Sequence, residues 1–218
     1  MTPSKRVFDL CFAVVLLPLV LPVLAGLVAV LWLRQGRPVF FGGERMRSSH
    51  EGFTLWKLRS MSVVAVDTGV SGGDKAARVT PLGRVLRRSR LDELPQLLNI
   101  FRGDISFVGP RPPLRIYVER FPDLYAQVLR TRPGITGLAS LVFAAHEERL
   151  LARTASPEET DATYARVCVP RKARIDLIYQ RHQSLCLDLW LICLTGARVL
   201  GLARARRLPR RRRVLSGK

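Results

Sequence analysis

Between Leu10 and Leu33 the chain runs for 24 residues without a charge. As one helix this run would measure about 36 Å, against a bilayer hydrocarbon core of about 30 Å, so it belongs in a membrane. It is too long for a cleaved signal peptide, and no small-residue cleavage site precedes Arg34. Lys5 and Arg6 stand on one side, Arg34 and Arg37 on the other, and basic flanks favour the cytoplasm at both ends. Pro18 and Pro22 lie one turn apart. Neither can donate to the helical ladder, so two rungs are lost on one face and a bend is expected near the bilayer middle. Two topologies are open at this point: an ordinary N-terminal anchor, and a broken helix that turns back to its own face and needs caps for the freed carbonyls. Asp9, three residues after Arg6, is placed to pair with it along the helix surface.

After a loop with Gly36, Pro38, Gly42 and Gly43, the aromatic and apolar segment Phe53 to Met61 reads as a strand or short hairpin. Lys57 and Arg59 would share one face of it, either as a solvated edge or as phosphate contacts. Residues 67 to 78 are glycine-rich and polar and read as a loop. Thr80 followed by Pro81 is a helix start, with Leu82, Val85 and Leu86 as its apolar stripe. A second helix is expected from Asp92, because Leu94, Leu97, Leu98 and Phe101 keep helical spacing until Gly103 ends it. The turn GDISFVGPRPP leads into a further helix around Leu114 to Phe121. From Ile175 to Leu202, Asp188 and Arg198 interrupt apolar sequence, which favours a helix lying at a membrane interface over one that spans it. Tyr179 and Trp190 suit that depth.

Charge narrows the partners. A net +19 over 218 residues, with a sequence pI near 11.3, calls for a polyanion such as nucleic acid, an anionic membrane surface or a phosphorylated substrate. Arg204 to Arg213 concentrates part of that charge in a tail, which reads as an electrostatic tether to lipid headgroups or as a tail without specific role. Cys11, Cys168, Cys186 and Cys193 form no CxxC pair and read as reduced, buried thiols of a cytosol-facing chain. His50, His146 and His182 lack metal-ligand spacing, so a preformed zinc site is not expected.

The chemistry concentrates between Arg84 and Pro113. Asp92 and Glu93 are adjacent carboxylates at an expected helix start, with Arg84, Arg87, Arg88 and Arg90 upstream. A helix N-terminus among arginines would keep Asp92 ionised and favour phosphate nearby. Such a carboxylate can be a nucleophile, a metal ligand or simply a cap. Arg111 is held between prolines, which lowers the entropy lost when its guanidinium clamps a phosphate. The turn at 131 to 137 presents Arg132 in the same way.

These residues resemble the bacterial sugar transferases, monotopic polyprenyl-phosphate phosphoglycosyl transferases. The matching pieces are KRVFDL at 5 to 10, WKLRSM at 56 to 61, LDELPQLLN in register with GDISFVGPRPP, RPGITGLA at 132 to 139, and the segment 184 to 195. The resemblance implies an α+β, mainly helical fold with an N-terminal re-entrant membrane helix, a small β element and interfacial amphipathic helices around the catalytic core. It implies residues 1–36 as the membrane element and 37–203 as a transferase domain on the cytoplasmic face of the bacterial inner membrane, with 204–218 as a basic tail. It implies transfer of a phospho-sugar from a UDP-sugar to undecaprenyl (polyprenyl) phosphate, releasing UMP, as the first membrane step of exopolysaccharide, O-antigen or glycoprotein glycan assembly. By the same resemblance Asp92 is the nucleophile that carries the phosphosugar. Glu93 joins it in holding Mg²⁺ or positions the second phosphate, and Arg87 and Arg111 bind phosphate oxygens; Lys57, Arg59 and Arg132, read above from strand and turn, are the further candidate substrate contacts. Inner-membrane lipids are implied partners, and a homodimer is compatible with the sequence.

This chain departs from the family pattern in three places. The membrane break, often a Ser-Pro pair, is Leu21-Pro22 here, with Pro18 as a second lesion. The segment SLVFAAHEERLLA replaces a VNGR-like stretch near the sugar, where His146, Glu147 and Glu148 read as a solvated helix face or as ligand contacts. The start so close to KRVFDL suggests the minimal catalytic form. Two competing readings are an anchored nucleic-acid binder presenting the Arg84 to Arg90 face, and an aspartate-based phosphohydrolase. The first leaves Asp92, Glu93 and the VGPRPP turn unexplained and sets acids beside a DNA-binding face. The second transfers to water and needs no prenyl acceptor.

Overall fold

The computed structural model describes residues 1–64 and 73–202. The basic tail from Arg204 and the first part of the glycine-rich loop lie outside the described residues, while Gly73–Arg78 forms a 3-10 turn. The chain is mainly helical with two small sheets.

Helix α1 (Pro3–Gln35) continues through Pro18 and Pro22. It is long and apolar enough to cross a membrane. Its middle packs little: Val14, Val15, Leu19 and Leu21 are all more than half exposed. Its ends are anchored. At one end Lys5, 3% exposed, pairs with Asp188, 0% exposed, and Tyr179 donates to the same carboxylate at 2.6 Å. At the other end Leu31 is buried with Leu58 and Leu86. There Arg59 donates to the carbonyls of Gln35 (2.5 Å) and Gly36 (2.9 Å), so its cation meets the negative end of the helix.

Three expectations for this region need correction. Arg6 and Asp9 do not pair: Arg6 donates to the Ile100 and Phe101 carbonyls at 2.6 and 2.9 Å, while Asp9 accepts from Ser106 Oγ and the Phe107 N–H. The orphan carbonyls at the end of that helix take the guanidinium, while Asp9 is turned inward, its Oδ1 bonded and its Oδ2 buried without a partner. Arg59 lies past the end of the strand that carries Lys57, so the two do not share a strand face. The cysteines are free as expected, but only Cys168 is buried, while Cys11, Cys186 and Cys193 are exposed on apolar helices.

Strands β1 (Phe40–Met46) and β2 (Gly52–Leu58) form an antiparallel hairpin, Phe40 opposite Leu58 and Met46 opposite Gly52. Helix α2 (Pro81–Ser89) begins as the sequence predicts, with Thr80 Oγ1 accepting from the Gly83 N–H at 2.9 Å. Its C-cap, Arg90, adopts a left-handed conformation (φ 58°) and turns the chain into Leu91–Glu93, a single 3-10 turn. Helix α3 (Gln96–Arg102) follows, closed by Gly103 in the left-handed region. Asp92 is therefore not an N-cap: Pro95 stands at that position, and the 3-10 turn intervenes.

Strands β3 (Ser106–Val108) and β4 (Gly134–Thr136) pair in parallel. Gly109 and Gly134 allow this. A Cβ on Gly109 would lie 2.1 Å from the Arg132 carbonyl oxygen, and one on Gly134 would lie 2.2 Å from the Gly109 nitrogen, so backbone meets backbone where any side chain would intrude. Helices α4 (Arg115–Arg120), α5 (Pro122–Val128) and α6 (Leu138–Leu151) follow. Helix α7 (Pro157–Thr163) runs through a π turn, Tyr164–Cys168, into α8 (Val169–Arg181). Tyr117, Phe143, Tyr164 and Val169 share the core of this helical layer. Helix α9 (Leu185–Val199) packs with α1, β3 and Leu97 of α3 around Leu191 and Ile100. The expected interfacial segment is thus two helices, and Asp188 is a buried partner of Lys5 instead of an interfacial charge, while Arg198 donates to the Leu141 carbonyl.

Candidate active site

Three segments meet at the acidic pair. Lys57 comes from β2, Asp92 and Glu93 from the 3-10 turn, and Arg111 from the turn after β3. Asn99 of α3 fastens the first two together: its Oδ1 accepts from the Trp56 N–H at 3.1 Å, and its Nδ2 donates to the Thr54 carbonyl (2.8 Å) and to Asp104 (2.9 Å). The Met46 N–H donates to the Pro113 carbonyl at 2.9 Å and ties the hairpin to the turn that carries Arg111. Arg87 Nε donates to Ser60 Oγ at 2.8 Å and fixes α2 against the end of the hairpin.

Asp92 and Glu93 are 6% and 7% exposed, yet their electrostatics diverge. Burial pushes the Glu93 carboxyl upward, but Lys57 at 2.9 Å, Arg111 at 3.4 Å and Arg90 at 3.6 Å outweigh it and bring it down to about 2. Glu93 is a fixed anion. Burial raises the Asp92 carboxyl above the usual aspartate value, and the cations Lys57, Arg87 and Arg90 offset it only in part while Glu93 adds to the rise. The expectation that a helix terminus holds Asp92 ionised is thus replaced by a costly buried carboxylate. Among the described residues Asp92 makes no direct hydrogen bond or ion pair, and Lys57, Arg87 and Arg90 act on it only through space. Lys57 is pushed down by burial and held up by Glu93 and Asp92, and Glu93 raises Arg111.

The sequence-predicted residues Asp92, Glu93, Lys57, Arg87 and Arg111 therefore converge. Arg59 and Arg132 do not join them. Arg59 caps α1, and the charged neighbours of Arg132 are Arg47, Glu51, Arg6 and Asp104. Asn99 was missed by the sequence reading: a lone polar residue on an amphipathic helix gives no sign of bonding a distant strand. The segment His146 to Glu148 is not a uniform solvated face. Glu148 is exposed, but Glu147 binds Lys172 Nζ at 3.0 Å, and His146 Nε2 meets Arg171 at 3.0 Å.

A family model described as bacterial sugar transferase matches residues 1–201. The chain belongs to the bacterial sugar transferase family. It is 36% identical over 196 residues to an uncharacterized sugar transferase, EpsL, of Bacillus subtilis (strain 168), covering 90% of this chain and 87% of that one. It is 35% identical over 195 residues to the UDP-glucose:undecaprenyl-phosphate glucose-1-phosphate transferase of Escherichia coli (strain K12), covering 88% of this chain but 39% of that protein. Against the UDP-N-acetylgalactosamine-undecaprenyl-phosphate N-acetylgalactosaminephosphotransferase of Aeromonas hydrophila it is 32% identical over 202 residues, 90% of this chain and 43% of that one. The chain thus spans less than half the length of these last two relatives. The nucleic-acid reading gives way to an enzyme of the sugar-phosphate transferase class, with an apolar N-terminal helix suited to a membrane.

Proposed function

We propose that this enzyme transfers a sugar phosphate from a UDP-sugar to undecaprenyl phosphate through a covalent intermediate on Asp92. The observation that carries this is the contrast inside the acidic pair: Glu93 is neutralised by Lys57 and Arg111, while its neighbour Asp92 is buried and makes no direct hydrogen bond or ion pair among the described residues. A carboxylate with unfilled lone pairs in a desolvated, cation-lined site is a nucleophile. In the first half-reaction an Asp92 oxygen attacks the sugar-bearing phosphorus, the bond from that phosphorus to the bridging oxygen breaks, and UMP leaves. In the second, an oxygen of undecaprenyl phosphate attacks the same phosphorus and the acyl phosphate bond breaks, regenerating the Asp92 carboxylate. Arg111, partly exposed beside Glu93, and Arg87 orient phosphate oxygens and offset charge.

No group of three metal-ligating side chains occurs among the described residues. Adjacent hard carboxylates suit an ion that arrives with the substrate's phosphates, because Mg²⁺ is usually held by one or two carboxylates plus phosphate oxygens. Asp92 and Glu93 are the residues that would hold it, and it would supply charge neutralisation at the diphosphate.

Re-entry of α1 from the cytoplasmic face of the inner membrane is the topology we favour. Both ends of α1 are anchored on the same domain, Lys5 on α9 and Gln35 beside α2. The exposed apolar residues Val15, Phe40, Phe41 and Trp190 would face the lipid.

The test is UMP release from a panel of UDP-sugars, with and without undecaprenyl phosphate and Mg²⁺, in wild type and Asp92→Asn. Transfer is expected to require the acceptor and to vanish in Asp92→Asn. Wild-type turnover by Asp92→Asn would overturn the nucleophile assignment, and acceptor-independent turnover would identify a phosphohydrolase. Cysteines introduced singly at Ser4 and Arg37, with the exposed native thiols removed, are expected to label from the same side of the membrane.

A further inference from the structure

Within electrostatic reach of Arg111 lies a second charged cluster that the phosphate chemistry does not use. Lys172 of α8, 8% exposed, donates to Glu147 of α6 at 3.0 Å and to the Tyr164 hydroxyl at 3.3 Å. Its ammonium also lies 5.2 Å from the centre of the Tyr164 ring. The ring is held in turn by the π turn that carries it and by Tyr117, whose ring centre is 4.7 Å away. The cluster adjoins the phosphate site: Glu147 and Tyr164 act electrostatically on Arg111, and Arg111 on Lys172. Arg111 therefore feels two carboxylates, Glu93 at 3.4 Å and Glu147 without direct contact.

We propose that Glu147 and Lys172 form a hydroxyl-binding subsite that recognises a vicinal diol of the donor. This rests on the UDP-sugar reading above. The chemistry is specific to such a ligand. A second phosphate would be repelled by Glu147, and an apolar group would strand a buried ion pair. A diol satisfies both charges: the carboxylate has about four acceptor sites and accepts from two hydroxyls, while the ammonium has a third N–H to donate to a hydroxyl oxygen. Lys172 is fixed by Tyr164, whereas Glu147 is 22% exposed at its side chain and so can reach ligand. In a donor gripped at its diphosphate by Arg111, the groups one step beyond the phosphates are the hexose on one side and the ribose on the other. Both carry vicinal hydroxyls, and the same pair can read either.

The experiment measures equilibrium binding and UMP release with the full chain in lipid nanodiscs. The donors are UDP-glucose, UDP-galactose, their two N-acetylamino counterparts and 2′-deoxy-UDP-glucose. Glu147→Gln is compared with wild type, with Glu147→Asp as the charge-preserving rescue and the exposed neighbour Glu148→Gln as control. Loss of a hydrogen bond between a hydroxyl and a charged group lowers affinity or kcat/KM by about 10- to 100-fold for donors that carry the hydroxyl, and not for those that lack it. A changed ratio among the hexoses assigns the subsite to the sugar, and a changed ratio between ribose and deoxyribose assigns it to the nucleoside. An equal loss for all donors overturns the proposal while leaving the transfer reaction intact. Selective binding without turnover would uphold the subsite and overturn the transfer, and absence of binding by every donor would overturn both.

Discussion

Asn99 holds the site together through three hydrogen bonds, and the cost of removing them follows from their partners. In Asn99→Ala, two bonds to neutral backbone groups are lost at about 1 kcal/mol each and one to Asp104 at about 1.5–3 kcal/mol. The total of about 3–5 kcal/mol is a large part of an ordinary domain's stability. For a chain of this size it corresponds to a fall of roughly 10 °C in Tm. The isosteric Asn99→Asp is the sharper perturbation. It keeps the oxygen that accepts from Trp56 but turns the amide nitrogen into an oxygen facing the Thr54 carbonyl and the Asp104 carboxylate. It is expected to cost at least as much as alanine at neutral pH and to recover part of the loss in acid, once either carboxyl is protonated. Thermal unfolding in detergent or nanodiscs, followed by tryptophan emission, reads the effect, since Trp56 lies on the strand that Asn99 holds. UMP release is expected to fall too, because β2 carries Lys57 to Glu93. An Asn99→Asp protein within about 1 kcal/mol of wild type at pH 7.5 would refute the bolt.

Other outcomes follow from the same geometry. Burial raises the Asp92 carboxyl, so its contribution to stability is greatest in acid and declines as pH rises through the folded-state value. Asp92→Asn removes that loss and is expected to raise Tm by a few degrees at pH 7.5 while cutting UMP release at least about a thousandfold; a lowered Tm contradicts the assignment of a costly carboxylate. Glu93 has the opposite sign: its value falls from 4.5 to about 2, so it contributes about 3 kcal/mol above the unfolded value, and this is lost as pH falls from about 4.5 towards 2. Glu93→Gln should flatten that acid limb in a Tm-against-pH profile. Gly134→Ala places a Cβ 2.2 Å from the Gly109 nitrogen and is expected to cost about 3 kcal/mol or more by forcing β3 and β4 apart. Gly196→Ala, where a Cβ meets nothing within 4 Å, should leave Tm unchanged or slightly raised.

What could be read from the sequence was mostly local. The Thr80-Pro81 start of α2 and the Gly103 end of α3 follow from cap chemistry that involves only neighbouring residues. The acidic pair and Arg111 announced themselves by density of charge, and the hairpin delivered Lys57 to them. Arg59 and Arg132 looked equivalent to these by residue type, but their side chains were claimed by a helix terminus and by a separate charged neighbourhood. The start of α3 was misplaced because apolar spacing at Leu94 and Leu97 fits a helix from Asp92, and only the left-handed turn at Arg90 makes room for the 3-10 segment. Long-range partners left no local trace. Nothing near Asn99 specifies Trp56, and nothing near Glu147 specifies Lys172.

The pairing of Lys5 with Asp188 bridges 183 positions of sequence, which sets an order of events during synthesis. Helix α1 leaves the ribosome well before α9, so the carboxylate that neutralises Lys5 is made 183 residues after it. At about 5–20 residues per second, the nascent chain spends roughly 10–40 s with one end of α1 unlocked. Sealing of α1 by α9 therefore comes long after α1 is made, and chains truncated before Asp188 are expected to leave the Lys5 ammonium unpaired and to be cleaved faster in limited proteolysis than the full chain.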